Sequence, residues 1–302
     1  MILGKTFMPL KTLIMKLIKS KVTNLTPTSY NYNDIIKHIE LCGRTCYKSE
    51  DKRTDSSAEK FVNMLKSNHH MSVLEHGTVY LDIPINDNFS VINNQYSVVN
   101  FYLDEGGFVY LDEDGFERIA MTTNYRVILE NNLDEEFKLY SISIPTKYHE
   151  QRYTFRITCS RAIANEVVRH RQMSYSQEST RYCNYSKDKF GGELTFIKPE
   201  WLSENAFEVG NKSGDVSYLD KAESSYLNFL IDSEVSYLDL IKENIKPENA
   251  RGVLPLDLKT DLIVTGTKSQ WDAFFKLRCA KSAHPDIQVI ANQIKNMIYE
   301  KN

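Results

Sequence analysis

Six of the chain's twelve arginines lie between Arg152 and Arg181, a tenth of its 302 residues. A guanidinium cannot be buried without a partner, so this run must fold with its cations turned to water, to carboxylates or to a bound anion. The stretch from Gln151 to Ser186 opens with a strand, YTFRI, and the rest predicts a helix over residues 160–172. Arg152 and Arg156 lie on that strand without an assigned contact, and Arg161 begins the helix. On such a helix Ala164, Val167, Val168 and Arg171 share one side, with Glu166 and Arg169 on another. Arg169, His170 and Arg171 are consecutive, and Gln177, Glu178, Ser179, Thr180 and Arg181 follow. Forked guanidinium donors beside hydroxyls and turn amides suit the oxygens of a phosphate. A solvated basic face paired with the acidic stretch between Asp104 and Glu117 is the other reading. Arg278 is a second signal: Trp271, Phe274 and Arg278 stand at i, i+3 and i+7, so it points with two aromatics toward the core side. There it needs a buried carboxylate or a bound anion, unless its stem snorkels to the surface. Arg251, ahead of Pro255, is a weaker case of the same kind.

The totals narrow the classes. With 37 basic and 40 acidic residues the net charge is −3, which gives no support to a nucleic-acid coat or a membrane-surface role. Five cysteines (Cys42, Cys46, Cys159, Cys183, Cys279) form no CxxC pair, so neither a disulfide framework nor a metal site is expected, and the setting is a reducing, cytoplasmic one. Twelve glycines include no GxGxxG and no P-loop, so a nucleotide here is not held by either fingerprint. The first eighteen residues are broken by Lys5, Pro9, Lys11 and Lys16, and read as a lead-in that an alternative start would produce, not as a membrane span.

Spaced apolar positions predict helices over 29–40 and 57–68, joined by a polar connection. His69 to Ile83 is a turn running into a strand, and FVYL-DEDG-FERI is a hairpin around Gly115. Repeated SYL triplets at Ser217, Ser225 and Ser236 return near one helical phase and read as core packing, in a helical region that stops near Leu254. LKTDLIVTGT follows, then helices over SQWDAFFKLRCAKSA and from Pro285 to the end. The class is α+β, helix-rich with a small mixed or antiparallel sheet. The domain organisation read from this is a lead-in over 1–28 and one domain over 29–302, interrupted at about 84–150 by an inserted block of unnamed role.

Arg169-His170-Arg171, seven residues and then Ser179 resemble the RHR-x7-S signature of the flavin-dependent thymidylate synthases. His70-Met-Ser-Val-Leu-Glu-His76 is similar to that family's H-x-x-x-x-E-H element, and Arg251-Gly-Val-Leu-Pro-Leu256 with Phe275-Lys-Leu-Arg278 to its C-terminal pattern. The resemblance covers 29–83 and 151–300. It implies the family's fold, FAD as cofactor, and the reductive methylation of dUMP to dTMP with 5,10-methylenetetrahydrofolate and NADPH. It also implies a homotetramer with active sites at subunit interfaces. Carried over by motif position, Ser72, Arg169, His170, Arg171, Gln177, Thr267 and Ser269 would contact FAD. Glu166, Arg169, Gln177, Glu178, Ser179, Thr180, Arg181 and Arg251 would hold dUMP. Arg278 would be the catalytic group at the uracil N3/O4 edge, with His70 and Glu75 near flavin and folate. Ser176, Gln177 and Glu166 depart from the family's usual asparagine, glutamate and glutamine, and Thr267, Ser269 and Ala273 lack its frequent asparagines and arginine. A flavin enzyme acting on another pyrimidine nucleotide, or a protein that only binds nucleotide or RNA, are the alternative readings.

Overall fold

The computed structural model describes residues 16–85, 108–187, 192–212 and 216–300. Among them are strands β1 (Lys16–Ile18), β2 (Lys21–Asn24), β3 (Thr78–Pro84), β4 (Phe108–Leu111), β5 (Glu117–Asn124), β6 (Arg152–Ser160), β7 (Ser174–Gln177), β8 (Thr195–Ile197) and β9 (Lys259–Thr267). The described residues divide into two compact units. The larger lies within 21–159, 163–179 and 260–302, the smaller within 1–20, 160–162 and 180–259.

In the larger unit β2, β6, β9 and β7 form a sheet in that order, with β2 antiparallel to β6 and β7 antiparallel to β9. Alternation along β6 and β9 sends Phe155, Ile157, Cys159, Leu262 and Val264 to one face. Trp271 and Phe274 from the helix Lys268–Arg278, and Ile287, Ile290 and Ile294 from Pro285–Tyr299, close over that face. Each of these side chains contributes about 1.5–3 kcal/mol by leaving water.

The opposite face is polar and also buried. His38 Nε2 lies 3.2 Å from Thr154 Oγ1, which lies 2.8 Å from Thr265 Oγ1. Thr265 Oγ1 meets His76 Nδ1 at 2.8 Å, and His76 Nε2 meets Ser176 Oγ at 3.0 Å. Thr158 donates to Asp261 Oδ1 at 2.6 Å, and Arg156 Nη2 to Thr45 Oγ1 at 3.3 Å. Arg152, without an assigned contact in the sequence reading, is only 1% exposed and donates to Glu75 O and Thr78 Oγ1. Arg156 faces Glu50 at 3.7 Å; of the acidic stretch between Asp104 and Glu117, residues 104–107 lie outside the described residues.

A second core in this unit joins Ile35 and Ile39 of the helix Tyr32–Thr45, Leu65 of Ser57–Ser67, and Val79 and Leu81 of β3, which pairs with β5 in the sheet β3-β5-β4. Gly43 makes the helix contact possible: a Cβ there would come within 2.7 Å of Val73 and 2.8 Å of Phe61. The hairpin forms as expected, with Gly115 at φ +83. In the smaller unit β1 pairs in parallel with β8, and Asp220 caps the helix Lys221–Lys242, which packs Leu227, Leu230 and Tyr237 on Leu17, Cys183 and Phe196.

Several expectations change. The helix after β6 is only Arg161–Val167, and Ser174–Gln177, expected as part of a helical stretch, is a strand because β9 supplies its ladder bonds. Arg171 therefore stands exposed beyond the helix and shares no side with the buried Ala164 and Val167. Tyr218 precedes the long helix and is 88% exposed, so the first SYL triplet packs on the core through Leu219 and not through its tyrosine. The helical region does stop at Leu254, but it is broken: the long helix ends at Lys242, Asn244 follows at φ +62, and the short turns Pro247–Ala250 and Arg251–Val253 complete it. The segment placed in a lead-in contains β1 and β2, whose backbone groups are taken up by β8 and β6.

Burial holds His38 neutral down to about 4, reinforced by the charges of Arg152 and Arg53, and drives His76 well below the ordinary histidine range. Both folded values lie below the unfolded one, so their contribution is intact above about pH 6.5 and is lost as pH falls toward 4. Urea unfolding at stepped pH should show stability falling by about 3 kcal/mol over that window from His38 alone. A His38→Gln variant should flatten the profile; an unchanged slope would contradict neutral burial.

Candidate active site

The helix Arg161–Val167 and the turn after it place Glu166, Arg169, His170 and Arg171, and the helix Lys268–Arg278 brings Arg278 to them. Arg278 Nη1 donates to Glu166 Oε2 at 2.7 Å, Nη2 to Glu166 O at 3.1 Å and Nε to His170 Nε2 at 3.0 Å. The inward arginine thus has its carboxylate. Three of a guanidinium's five N–H groups are engaged; the other two have no protein acceptor among the described residues. His170 accepts through Nε2, so its proton is on Nδ1; burial, then the Arg278 charge, lowers its pKa. Its ring packs edge-on against Phe274 at 4.8 Å. Tyr175 holds the turn by donating to His170 O at 2.6 Å. Arg169 and Arg171 are exposed, and neither guanidinium has a hydrogen bond or ion pair among the described residues.

Gln177 closes β7 with Nε2 3.4 Å from Thr260 Oγ1. Glu178 is buried against Lys48 Nζ at 3.2 Å, and the Ser179 amide donates to Cys46 O at 3.0 Å. Glu75 is buried and receives Arg126 Nη1 at 2.7 Å. Burial raises its pKa, opposed by hydrogen bonds from Arg126 and Ser174. His70 and Ser72, at the start of the same short helical turn, are exposed. Thr267 and Ser269 do not stand as an open ligand pair: buried Thr267 forms a capping box with Gln270 and bonds Ser269 Oγ at 3.0 Å. All these residues belong to the larger unit. Thr180, Arg181 and Arg251 belong to the smaller, where Arg251 Nη1 reaches Thr180 Oγ1 at 3.4 Å and exposed Arg181 lies over the Tyr182 ring.

Two residues absent from the sequence reading shape this region. Lys48 sits in a polar connection with no motif around it. Arg126 comes from the inserted block, on the helix Tyr125–Glu130, and bridges Glu75 to Glu130. No spacing rule links position 126 to position 75.

Removing one partner of a buried pair strands the other charge, so Arg126→Met should destabilise the fold by about 3 kcal/mol. Combining it with Glu75→Gln should recover most of that loss in a double-mutant cycle read by urea unfolding; additive losses would show that the pair is uncoupled.

Residues 146–301 match the family model described as "thymidylate synthase complementing protein". The chain is similar to a flavin-dependent thymidylate synthase of Aquifex aeolicus, 24% identical over 87% of this chain and 93% of that protein. It is also similar to enzymes of that name from Geobacter sulfurreducens (28% identical, 53% of this chain) and Pyrococcus furiosus (29%, 56%). In those two the match spans under two thirds of the relative, 62% and 64% of its length.

Proposed function

The chain belongs to the thymidylate synthase complementing proteins, the flavin-dependent thymidylate synthase family, and from that premise we propose that it converts dUMP to dTMP. The carbon donor in this reading is 5,10-methylenetetrahydrofolate and the reductant NADPH. The observation that carries it is the group at the end of the helix Lys268–Arg278. Arg278 is pinned by Glu166 and His170 with two N–H groups to spare, and the exposed Arg169 and Arg171 flank His170 in the chain with no partner among the described residues.

The donor set fits FAD, a dianionic dinucleotide: Arg169 and Arg171 supply charge, and His170 presents a neutral ring and an Nδ1 proton. In this reading they hold the cofactor with Ser72, Gln177 and exposed Ser269; Thr267 keeps its capping task. Bound flavin supplies the hydride that completes the methyl group. Ser179, Thr180, Arg181 and Arg251 hold the nucleotide, with Glu178 fixing the Ser179 backbone. His70 and Glu75 serve the flavin and folate side.

Uracil C5 is a weak nucleophile. Activation by thiolate addition needs a cysteine of lowered pKa. Burial instead raises the thiols of Cys42, Cys46 and Cys279, and Cys159 and Cys183 are fully buried. Activation is therefore electrostatic, from Arg278 N–H groups on the negative charge that grows at O4. Glu166 offers an acceptor to N3–H beside those donors, a pattern that uracil matches and cytosine inverts. A homotetramer in the cytoplasm completes the proposal; no described helix is long and apolar enough to cross a membrane.

The purified protein should absorb near 450 nm, bleach with NADPH, and recover on adding methylenetetrahydrofolate and dUMP but not dCMP. Colourless protein that cannot be reconstituted with FAD would sink the reading. Arg278→Ala should lower kcat by roughly 10²–10³-fold in single-turnover flavin oxidation, the scale for one lost charge-stabilising donor. Near wild-type turnover would remove Arg278 from the chemistry.

A further inference from the structure

The helix Tyr32–Thr45 ends in a way that costs backbone energy. Ser49 N bonds Arg44 O at 3.2 Å and Lys48 N bonds Thr45 O at 3.4 Å, closing the helix with Lys48 in the left-handed region at φ +47. Glycine is the usual residue at such a position, because the Cβ of an L side chain crowds the backbone there. Lysine stands there nonetheless, and what its side chain reaches accounts for it. Its ammonium meets Asp261 Oδ2 on β9 and Glu178 Oε2, two buried carboxylates that would repel one another without a cation between them. Asp261 is also fixed by Thr158 at 2.6 Å, and its amide lies 3.3 Å from Glu178 Oε2. Two residues before Lys48, Cys46 O receives the Ser179 amide at 3.0 Å. The same turn therefore grips the segment Glu178–Ser179 twice, once through a carboxylate and once through the backbone.

We propose that Lys48 is a positioning residue for nucleotide binding: by clamping Glu178 to Asp261 it sets the backbone from which Ser179 meets the substrate. The inference rests on the reading of Ser179 as a dUMP contact. Lys48 touches no substrate in this account and acts through Glu178 and Ser179, so its loss falls on affinity and not on the chemical step. Lys48→Met keeps the stem and removes the charge, whereas Lys48→Arg restores a cation that can bridge two carboxylates.

The test is titration of flavin-loaded enzyme with dUMP by calorimetry, with kcat at saturating dUMP measured alongside. Lys48→Met should weaken dUMP binding about tenfold with kcat within about threefold of wild type, and Lys48→Arg should bind within about threefold of wild type. Should Lys48→Met fail to fold, Lys48→Met/Asp261→Asn, which removes one of the two stranded charges and with it their mutual repulsion, takes its place with the same expected loss of affinity. Wild-type affinity in the folded variant would overturn the inference. So would a fall in kcat equal to the fall in affinity that Lys48→Arg does not rescue, the mark of general disruption. Wild-type enzyme that binds dUMP while Ser179→Ala binds equally well would instead overturn the reading of Ser179, on which the clamp depends.

Discussion

A four-stranded sheet with one buried face made of hydroxyls, carboxylates and a guanidinium has to be answered group by group. Water cannot reach Thr154, Thr265, Ser176 or Asp261, and each unpaired group there would cost about 1–3 kcal/mol. The helix Tyr32–Thr45, the turn that follows it and the short turn Met71–His76 supply the answers: His38, Thr45, Lys48 and His76. A helix that packed on this sheet by apolar contacts alone could slide; one that must present His38 to Thr154 and a lysine to Asp261 cannot. The apolar face, closed by Trp271, Phe274 and three isoleucines, supplies bulk stability, while the polar face fixes register.

That division explains how the candidate site can be both charged and ordered. The cations with assigned structural tasks are buried or half-buried on the polar side: Arg152 on the Glu75 carbonyl, Arg156 at Thr45, Lys48 between its carboxylates. Those left without a partner among the described residues, Arg169 and Arg171, lie past the end of a helix that stops at Val167. Stopping there is what exposes them. Had the helix run on to residue 172, Arg171 would have turned toward the core with Val167.

The sequence was legible where period and chemistry agreed. The β6 strand, the hairpin at Gly115, the helix from Pro285 and the inward arginine at 278 all follow from spacing and turn chemistry. The family follows from three ordered motifs. What could not be read was long-range pairing. Ser174–Gln177 carries a polar sequence that no strand template favours, and it is a strand only because β9 lies beside it. Lys48 looks like an ordinary surface lysine until Asp261, more than two hundred residues away, is placed against it. Arg126, from within the inserted block, meets Glu75 outside it for the same reason. Thr267, given a ligand role by motif position, shows a local task beside it: its hydroxyl starts a helix in a capping box with Gln270.

That helix start matters beyond capping. The capping box fixes the first turn, the aromatics Trp271, Phe274 and Phe275 fix its roll, and Arg278 is its last residue. The eleven residues thus act as a ruler between a fixed zero at Thr267 and a working tip. Inserting or deleting one residue would swing the tip by about 100° and move it about 1.5 Å, carrying Arg278 away from Glu166 and His170. Substitutions on the exposed side, at Lys276 or Leu277, leave the ruler's length alone. The region between the cap and the arginine should therefore tolerate changes of identity far better than changes of length.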